Sequence, residues 1–221
     1  MNKNTLDVAT LKPDYLGFIF WEPSKRYFNT EMPSVPHSVK KVGVFVNAPI
    51  NEVLEKVAKY DLHAVQLHGK ERPDFCKRLK EDYPSFRAES RNDNEVSTPL
   101  DRTEKILKII KVFSIKDDFD FDQLKPFENV CDFFLFDTKG KLPGGNGYRF
   151  DWKLLENYPS TKPYFLSGGI GMEETESLLE FLKTPESKYC HAIDVNSKFE
   201  IEPGLKEVEK VRKFKEVLYD L

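Results

Sequence analysis

Short apolar runs alternate with longer amphipathic stretches along most of this chain, and that alternation constrains the fold more than any other feature. Seven runs are nearly all apolar, as strands buried on both faces are. They span residues 15–20, 42–46, 64–67, 109–113, 133–136, 164–166 and 192–195. Parallel strands need long crossover connections between them, so this order predicts a parallel β/α sheet.

Between most of these runs, apolar residues recur at the spacing of an amphipathic helix. Four predicted helices span 50–60, 73–81, 173–182 and 205–218, and a fifth begins near an N-cap at Asp151. No GxGxxG motif follows the first strand, and polar residues and glycines cluster after many different strands. That distribution favours a (β/α)8 TIM barrel over an open doubly wound sheet, because all the βα loops of a barrel meet on one face. Seven strands leave such a barrel one strand short.

Size and charge limit the class of protein. The 221 residues suit one TIM-barrel domain over 1–221, and a formal net charge of −3 argues against binding to nucleic acid or to an anionic membrane surface. No apolar run approaches the ~20 residues that span a bilayer, and no secretory signal is visible. Three widely spaced cysteines are typical of reduced thiols. We therefore expect a cytoplasmic protein.

Residues 84–105 do not fit the barrel pattern, because they are polar and charged and contain few large apolar side chains. They stand between a helix and a strand, where a loop of a few residues is usual. The segment is interpreted as a disordered insertion away from the chemistry; the alternative is a helix that the pattern shows poorly.

Two neighbouring loops near the end of the chain offer groups that could bind phosphate. Gly168 and Gly169 follow a strand and precede a helix, where glycines allow close approach and free N–H groups act as donors. Asp194, Asn196 and Ser197 follow the last strand. In barrels the loops after the last two strands commonly bind phosphate. The alternative is that the glycines only form tight turns.

Asp137 directly follows the very apolar run 133–136. A carboxylate in this position is either a general acid or base, its pKa raised by burial, or a cap for the next turn. The loop that follows, residues 138–147, is glycine-rich and long enough to cover a ligand. Gly145 and Gly147 within it are predicted to contact substrate.

Three further side chains are expected on the same face of the barrel. Arg26 follows the first strand, and an arginine there can pair with a carboxylate through two N–H groups. Gln66 and His68 are two residues apart, so they point to the same side of their strand. A packing role for His68 remains the alternative.

Taken together, six segments resemble the phosphoribosylanthranilate isomerase family of tryptophan biosynthesis. The segments, in the family's order, are 14–28 (DYLGFIFWEPSKRYF), 42–47 (VGVFVN), 65–69 (VQLHG), 136–152 (FDTKGKLPGGNGYRFDW), 167–170 (SGGI) and 193–204 (IDVNSKFEIEPG). The resemblance implies a (β/α)8 barrel that uses no cofactor and no metal, acts on a small phosphorylated substrate, and occurs as a monomer or homodimer. The implied reaction is an Amadori rearrangement of the amino-aldose N-(5-phosphoribosyl)anthranilate to the amino-ketose 1-(2-carboxyphenylamino)-1-deoxyribulose 5-phosphate.

The resemblance also implies roles for individual residues. Asp137 matches the general acid, and Arg26 matches the arginine that pairs with the anthranilate carboxylate. The phosphate-binding turns match Gly168, Gly169, Asn196 and Ser197. Positions at the barrel mouth match Gln66, His68 and Asp194.

The sequence departs from the family at its start. The family begins with a strand that reads roughly Lys-Ile-Cys-Gly, whose cysteine is the general base, whereas residues 4–11 here match the first helix. We interpret Met1 as an internal methionine with that strand encoded upstream. The alternative is a non-catalytic, ligand-binding or vestigial barrel. A third hypothesis is a sister phosphate-binding barrel such as indole-glycerol-phosphate synthase or ribulose-phosphate epimerase, disfavoured because the histidines are not arranged to bind metal.

Overall fold

Seven parallel strands form one continuous sheet in the order of the chain, in a computed structural model that describes residues 3–90, 106–116, 118–138 and 150–219. The strands are β1 (Tyr15–Ile19), β2 (Lys40–Phe45), β3 (Ala64–Leu67), β4 (Lys108–Ile115), β5 (Phe133–Thr138), β6 (Tyr164–Leu166) and β7 (Cys190–Ile193). All seven predicted strands are present. Because neighbouring strands in the sheet are also consecutive along the chain, each connection is a crossover over the same face, as in a barrel.

Helices occupy most of the crossovers. The α-helices are α1 (Thr5–Ala9), α2 (Ile50–Tyr60), α3 (Pro73–Ser90), α4 (Thr175–Leu182) and α5 (Val208–Tyr219). The predicted helix near Asp151 is a 3-10 helix, Trp152–Asn157, and the Asp151 side chain caps it by accepting a hydrogen bond from the Lys153 N–H at 3.1 Å. Across the described ranges, no helix combines the length and the apolar character that crossing a bilayer requires.

Both faces of the sheet are buried, which explains why its strands are continuous apolar runs. Alternate residues of a strand belong to different layers: Ile109 and Phe134 pack under the helices, whereas Ile110 and Leu135 pack with each other inside the barrel. The inner cluster is small and consists of Val42, Ala64, Ile110, Val112, Leu135 and Phe165. The sheet is therefore curled around an apolar interior, as the TIM-barrel prediction requires.

The first and last strands approach each other at the amino-terminal end of the barrel. The hydroxyl of Tyr15 on β1 lies 2.9 Å from Nε2 of His191 on β7, and the ring of Tyr15 meets Phe165 edge-on at 5.1 Å. β1 and β7 nevertheless stand at the two ends of the hydrogen-bonded order, so the described sheet curls without closing. This agrees with the prediction of a (β/α)8 barrel that is one strand short.

Helix α3 is longer than predicted and corrects part of the insertion hypothesis. It runs to Ser90, so residues 84–90 are helical, while residues 91–105 lie outside the described residues. Leu79 and Tyr83 are buried, and Phe86 packs against the core, at spacings of four and three. These aromatic side chains flank Pro84, whose presence makes the helical pattern hard to recognise in the sequence.

The carboxyl-terminal helix begins later than predicted. Leu205–Lys206 forms strand β9 of an antiparallel hairpin with β8 (Glu200–Glu202), and α5 begins only at Val208. Asn4 ties this hairpin to the start of the chain, because its side chain bonds both the N–H and the carbonyl of Lys206, at 3.0 and 2.8 Å. The hairpin thereby lies beside the carboxyl-terminal ends of the strands, next to the candidate site.

Candidate active site

Nine of the eleven site residues predicted from the sequence line one cavity of about 450 Å³. They are Arg26, Gln66, His68, Asp137, Gly168, Gly169, Asp194, Asn196 and Ser197. The other two, Gly145 and Gly147, lie outside the described residues. Parallel strands deliver the residues that follow them to one rim, where these side chains lie. The cavity continues from this rim between β1 and β7, where Tyr15, Val8 of α1 and Phe214 of α5 also line it.

Asp137 and His68 face each other across this rim. Asp137 is carried on β5, where the buried run before it fixes the strand, and His68 follows the last residue of β3. Their Oδ2 and Nε2 atoms are 3.5 Å apart, and both side chains are largely buried. Burial alone would lower the pKa of His68, but the nearby Asp137 carboxylate outweighs it and raises that pKa above its ordinary value. Asp137 and His68 can therefore share a proton.

Asp194 is a second carboxylate in the cavity, at the end of β7. Burial raises its pKa, although the Ser167 hydroxyl opposes this by donating a hydrogen bond to Oδ2 at 2.9 Å. The negative charge of Asp137 acts in the same direction as burial. Ser167 precedes the predicted phosphate turn and had no predicted role, since a serine at a strand end is common and carries no distinctive pattern.

Gly168 has a structural reason to be glycine. Its φ is +92°, in the left-handed region, and a Cβ there would collide with the backbone N and side chain of Thr138. The Thr138 hydroxyl also donates to the Gly168 carbonyl at 3.3 Å and accepts from the Phe150 N–H at 3.2 Å. The turn after β6 is therefore pressed against the end of β5.

Lys206 lines the same cavity, and the sequence analysis missed it. Its Nζ donates to the carbonyl and Oδ1 of Asn196, at 2.9 and 2.7 Å, and to Oε1 of Glu200 at 3.1 Å. Burial lowers the pKa of Lys206, and the Glu200 carboxylate opposes that change. Residues 205–218 were predicted to be one helix, and no role was predicted for Lys206.

Arg26 does not stand free in the cavity. Its Nε lies 2.8 Å and its Nη2 2.6 Å from Oε2 of Glu200, a residue 174 positions later in the chain. Glu200 belongs to the segment that carried the resemblance, but it was given no role. The arginine that was predicted to meet a substrate carboxylate is thus already held by a carboxylate of the protein on one edge.

A buried ion pair supports the loop that carries His68. Lys111 Nζ, on β4, donates to Oε2 of Glu71 at 3.0 Å and to the carbonyls of Leu67 and Gly69 at 3.2 and 2.8 Å. Glu71 also accepts from the N–H of Gly69 at 3.0 Å. The pair therefore fixes the peptide groups on both sides of His68. This ion pair was not predicted, because the sequence around a lysine in an apolar run does not show whether its side chain is buried or exposed.

All three cysteines lie in the described ranges, and none of them is among the residues that line the cavity. Cys76 is on α3, while Cys131 and Cys190 lie at the amino-terminal ends of β5 and β7. Burial raises the pKa of Cys76 to about 11 and that of the other two to about 12. At neutral pH these thiols are protonated and are poor bases.

Comparison with known proteins adds independent findings. The model of the N-(5'-phosphoribosyl)anthranilate (PRA) isomerase family matches residues 2–105 and 94–217. The N-(5'-phosphoribosyl)anthranilate isomerase of Parabacteroides distasonis is 38% identical over 218 residues, which cover 96% of this chain and 86% of that relative.

Solved structures agree on the fold. The phosphoribosylanthranilate isomerase of Thermotoga maritima superposes with a TM-score of 0.75 at 25% identity, covering 100% of this chain and 96% of that one. A second isomerase structure, in complex with reduced 1-(o-carboxyphenylamino)-1-deoxyribulose 5-phosphate, gives a TM-score of 0.71 at 24% identity and covers 99% and 93%. The curled parallel sheet and its cavity agree with the match to the family model and with the relative that is 38% identical. This chain belongs to the phosphoribosylanthranilate isomerase family.

Proposed function

We propose that this chain binds N-(5-phosphoribosyl)anthranilate and rearranges it to 1-(2-carboxyphenylamino)-1-deoxyribulose 5-phosphate. One observation supports the proposal most directly. A single cavity is lined by Arg26, by the Asp137–His68 pair, and by two turns that contain Gly168–Gly169 and Asn196–Ser197. The substrate has a carboxylate at one end, a phosphate at the other and a sugar between them. Each of these groups has a chemically matched partner on the cavity wall.

The two anionic ends of the substrate are assigned to different residues of the site. The anthranilate carboxylate pairs with Arg26, a strong donor because its guanidinium is planar and permanently charged. The phosphate is bound by the turns that contain Gly168, Gly169, Asn196 and Ser197. The left-handed φ values of the two glycines, +92° and +71°, turn successive backbone N–H groups into a concave donor surface.

Asp137 is assigned as the general acid that protonates the ring oxygen of the ribose and opens the ring. Nε2 of His68 lies 3.5 Å from Oδ2 of Asp137, and the Asp137 carboxylate raises the pKa of His68. The two side chains can therefore share a proton, and His68 can resupply the proton that Asp137 delivers. The remaining step, removal of the proton on C2 of the sugar, needs a base.

The family resemblance implies that a cysteine supplies this base. Cys76, Cys131 and Cys190 are unsuitable because burial raises their pKa values to about 11, 12 and 12 and none lines the cavity.

The test compares wild type with Asp137→Asn. Titration with reduced 1-(o-carboxyphenylamino)-1-deoxyribulose 5-phosphate measures binding, and the change in the anthranilate chromophore measures turnover. Asp137→Asn should lower kcat about 100- to 10,000-fold with the ligand Kd nearly unchanged. Asp151→Asn is the matched control, because asparagine caps a helix as well as aspartate does.

Two results would contradict the proposal. Failure of wild type to bind the analogue would contradict the assignment of the site. Equal turnover in Asp137→Asn and Asp151→Asn would contradict the assignment of Asp137 as the acid. The second candidate function is a non-catalytic, ligand-binding barrel, favoured by the protonated state of all three thiols. It predicts binding of the analogue without turnover of substrate.

Assembly and location complete the proposal. We propose a monomer or homodimer that acts in the cytoplasm on a small phosphorylated substrate, without nucleic acid or membrane partners. Light scattering during size-exclusion chromatography distinguishes the two assemblies, since the chain mass is 25.8 kDa.

A further inference from the structure

Glu200 is a buried carboxylate between two cations at the edge of the cavity. Its side chain is only 4% exposed, and Arg26 and Lys206 are 16% and 9% exposed. Oε2 accepts from Arg26, and Oε1 accepts from Lys206 at 3.1 Å and from the Gly204 N–H at 3.2 Å. With this many donors in place, the carboxylate has one fixed orientation.

The contact fixes Arg26 in a particular way. Glu200 engages the Nε and Nη2 edge of the guanidinium. An arginine has five N–H donors in one plane, so pairing along this edge leaves the Nη1 end available for a second anion. A long, flexible side chain loses much less freedom on binding a ligand when its orientation is already set.

The charges around Glu200 keep it ionised. Burial would raise its pKa, but Arg26 and Lys206 outweigh burial and lower it. Lys206 is also acted on by the Asp194 carboxylate, whereas Arg26 forms its ion pair with Glu200.

The geometry points to Glu200 as a positioning residue that sets the specificity of the site for a carboxylate-bearing ligand. It holds Arg26 by one edge and presents the other end of the guanidinium to the aryl carboxylate. This inference rests on the proposed function, in which Arg26 meets the anthranilate carboxylate. It adds a residue that does not itself touch the ligand and links Arg26, through Lys206, to the Asn196 turn.

The test is a titration of two ligands into wild type and Glu200→Gln. One ligand is reduced 1-(o-carboxyphenylamino)-1-deoxyribulose 5-phosphate, and the other is the same compound with a phenyl group that lacks the carboxylate. In Glu200→Gln we expect the Kd of the first ligand to rise about tenfold or more, since a charge-assisted pair that orients Arg26 is lost. The Kd of the second ligand should rise by a clearly smaller factor, because that ligand is affected only through Lys206 and the Asn196 turn.

Glu202→Gln is the matched control. Glu202 is on the same strand, its side chain is 55% exposed, and it pairs with the exposed Lys3. This variant should bind both ligands as wild type does. Glu200→Asp keeps the charge but retracts it by one methylene, so it should show the same selective loss and serves where the glutamine variant does not fold.

The outcomes separate this inference from the proposed function. If wild type binds neither ligand, the proposed function fails. If wild type prefers the carboxylate ligand and the Glu200 variants keep that preference, the positioning role fails while the proposed function stands. Tighter binding of the carboxylate ligand by Glu200→Gln would also overturn the inference, because it would mean that Glu200 competes with the ligand for Arg26.

Discussion

Replacing Lys111 with methionine should destabilise this protein strongly, although the change makes the core more apolar. Lys111 and Glu71 are among the few buried charged residues, with side chains 5% and 2% exposed. The substitution removes the cation and leaves the Glu71 carboxylate buried. Two backbone donors remain to it, the N–H groups of Asn47 at 2.7 Å and Gly69 at 3.0 Å.

The size of the effect follows from the charge that is left behind. Removing one partner of a buried pair typically costs about 3–5 kcal/mol, because the other charge is desolvated without compensation. Whole domains are stable by only about 5–15 kcal/mol, so this is a large fraction of the total. The loss of the lysine contacts to the carbonyls on either side of His68 acts in the same direction.

Equilibrium unfolding in urea measures the change, and the same strand provides the control. Lys108 on β4 also pairs with a carboxylate, Asp132, at 3.0 Å, but its side chain is 47% exposed. Lys108→Met should therefore lower the free energy of unfolding by less than about 1 kcal/mol. Adding Glu71→Gln to Lys111→Met should recover part of the lost stability, since the uncompensated charge is then removed.

Two results would refute this reasoning. One is a Lys111→Met loss no larger than that of Lys108→Met. The other is a double variant less stable than Lys111→Met alone, because that outcome would mean that the buried carboxylate was not the source of the penalty.

Three further predictions concern the site and the thiols. Gly168→Ala should cost about 1–3 kcal/mol of unfolding free energy and weaken binding of the phosphorylated analogue, since its φ of +92° and its contact with Thr138 both exclude a Cβ; an unchanged Kd would contradict the phosphate assignment. The pKa of His68 is higher in the folded protein than in the unfolded chain, where it is about 6.5. Pairing with Asp137 therefore stabilises the fold fully at pH values below about 6.5. This contribution is lost as the pH rises through the pKa of His68 in the folded protein. NMR titration should therefore give His68 a pKa above 6.5 in wild type and a lower one in Asp137→Asn. All three thiols should react slowly with a disulfide reagent at pH 8 and rapidly in urea, because burial raises their pKa values; fast native labelling would contradict this.

Local pattern in the sequence was enough to predict the strands and the rim of the site. A strand buried on both faces is an uninterrupted apolar run, so its end is visible as the first polar residue, and that is how Asp137 and Asp194 were found. Because parallel strands end on one rim, residues that follow different strands could be expected to meet. Nine of the predicted residues line one cavity.

Tertiary structure decided the contacts that hold those residues in place. Arg26 and Glu200 are 174 positions apart, and Lys111 and Glu71 are 40 apart, so no local period relates either pair. For a lysine in a short apolar run or beside a turn, the local sequence does not show whether the side chain is solvated or buried. Only the approach of the β8–β9 hairpin to the barrel rim, and of β4 to the loop after β3, removes water from these charges and makes their pairing obligatory.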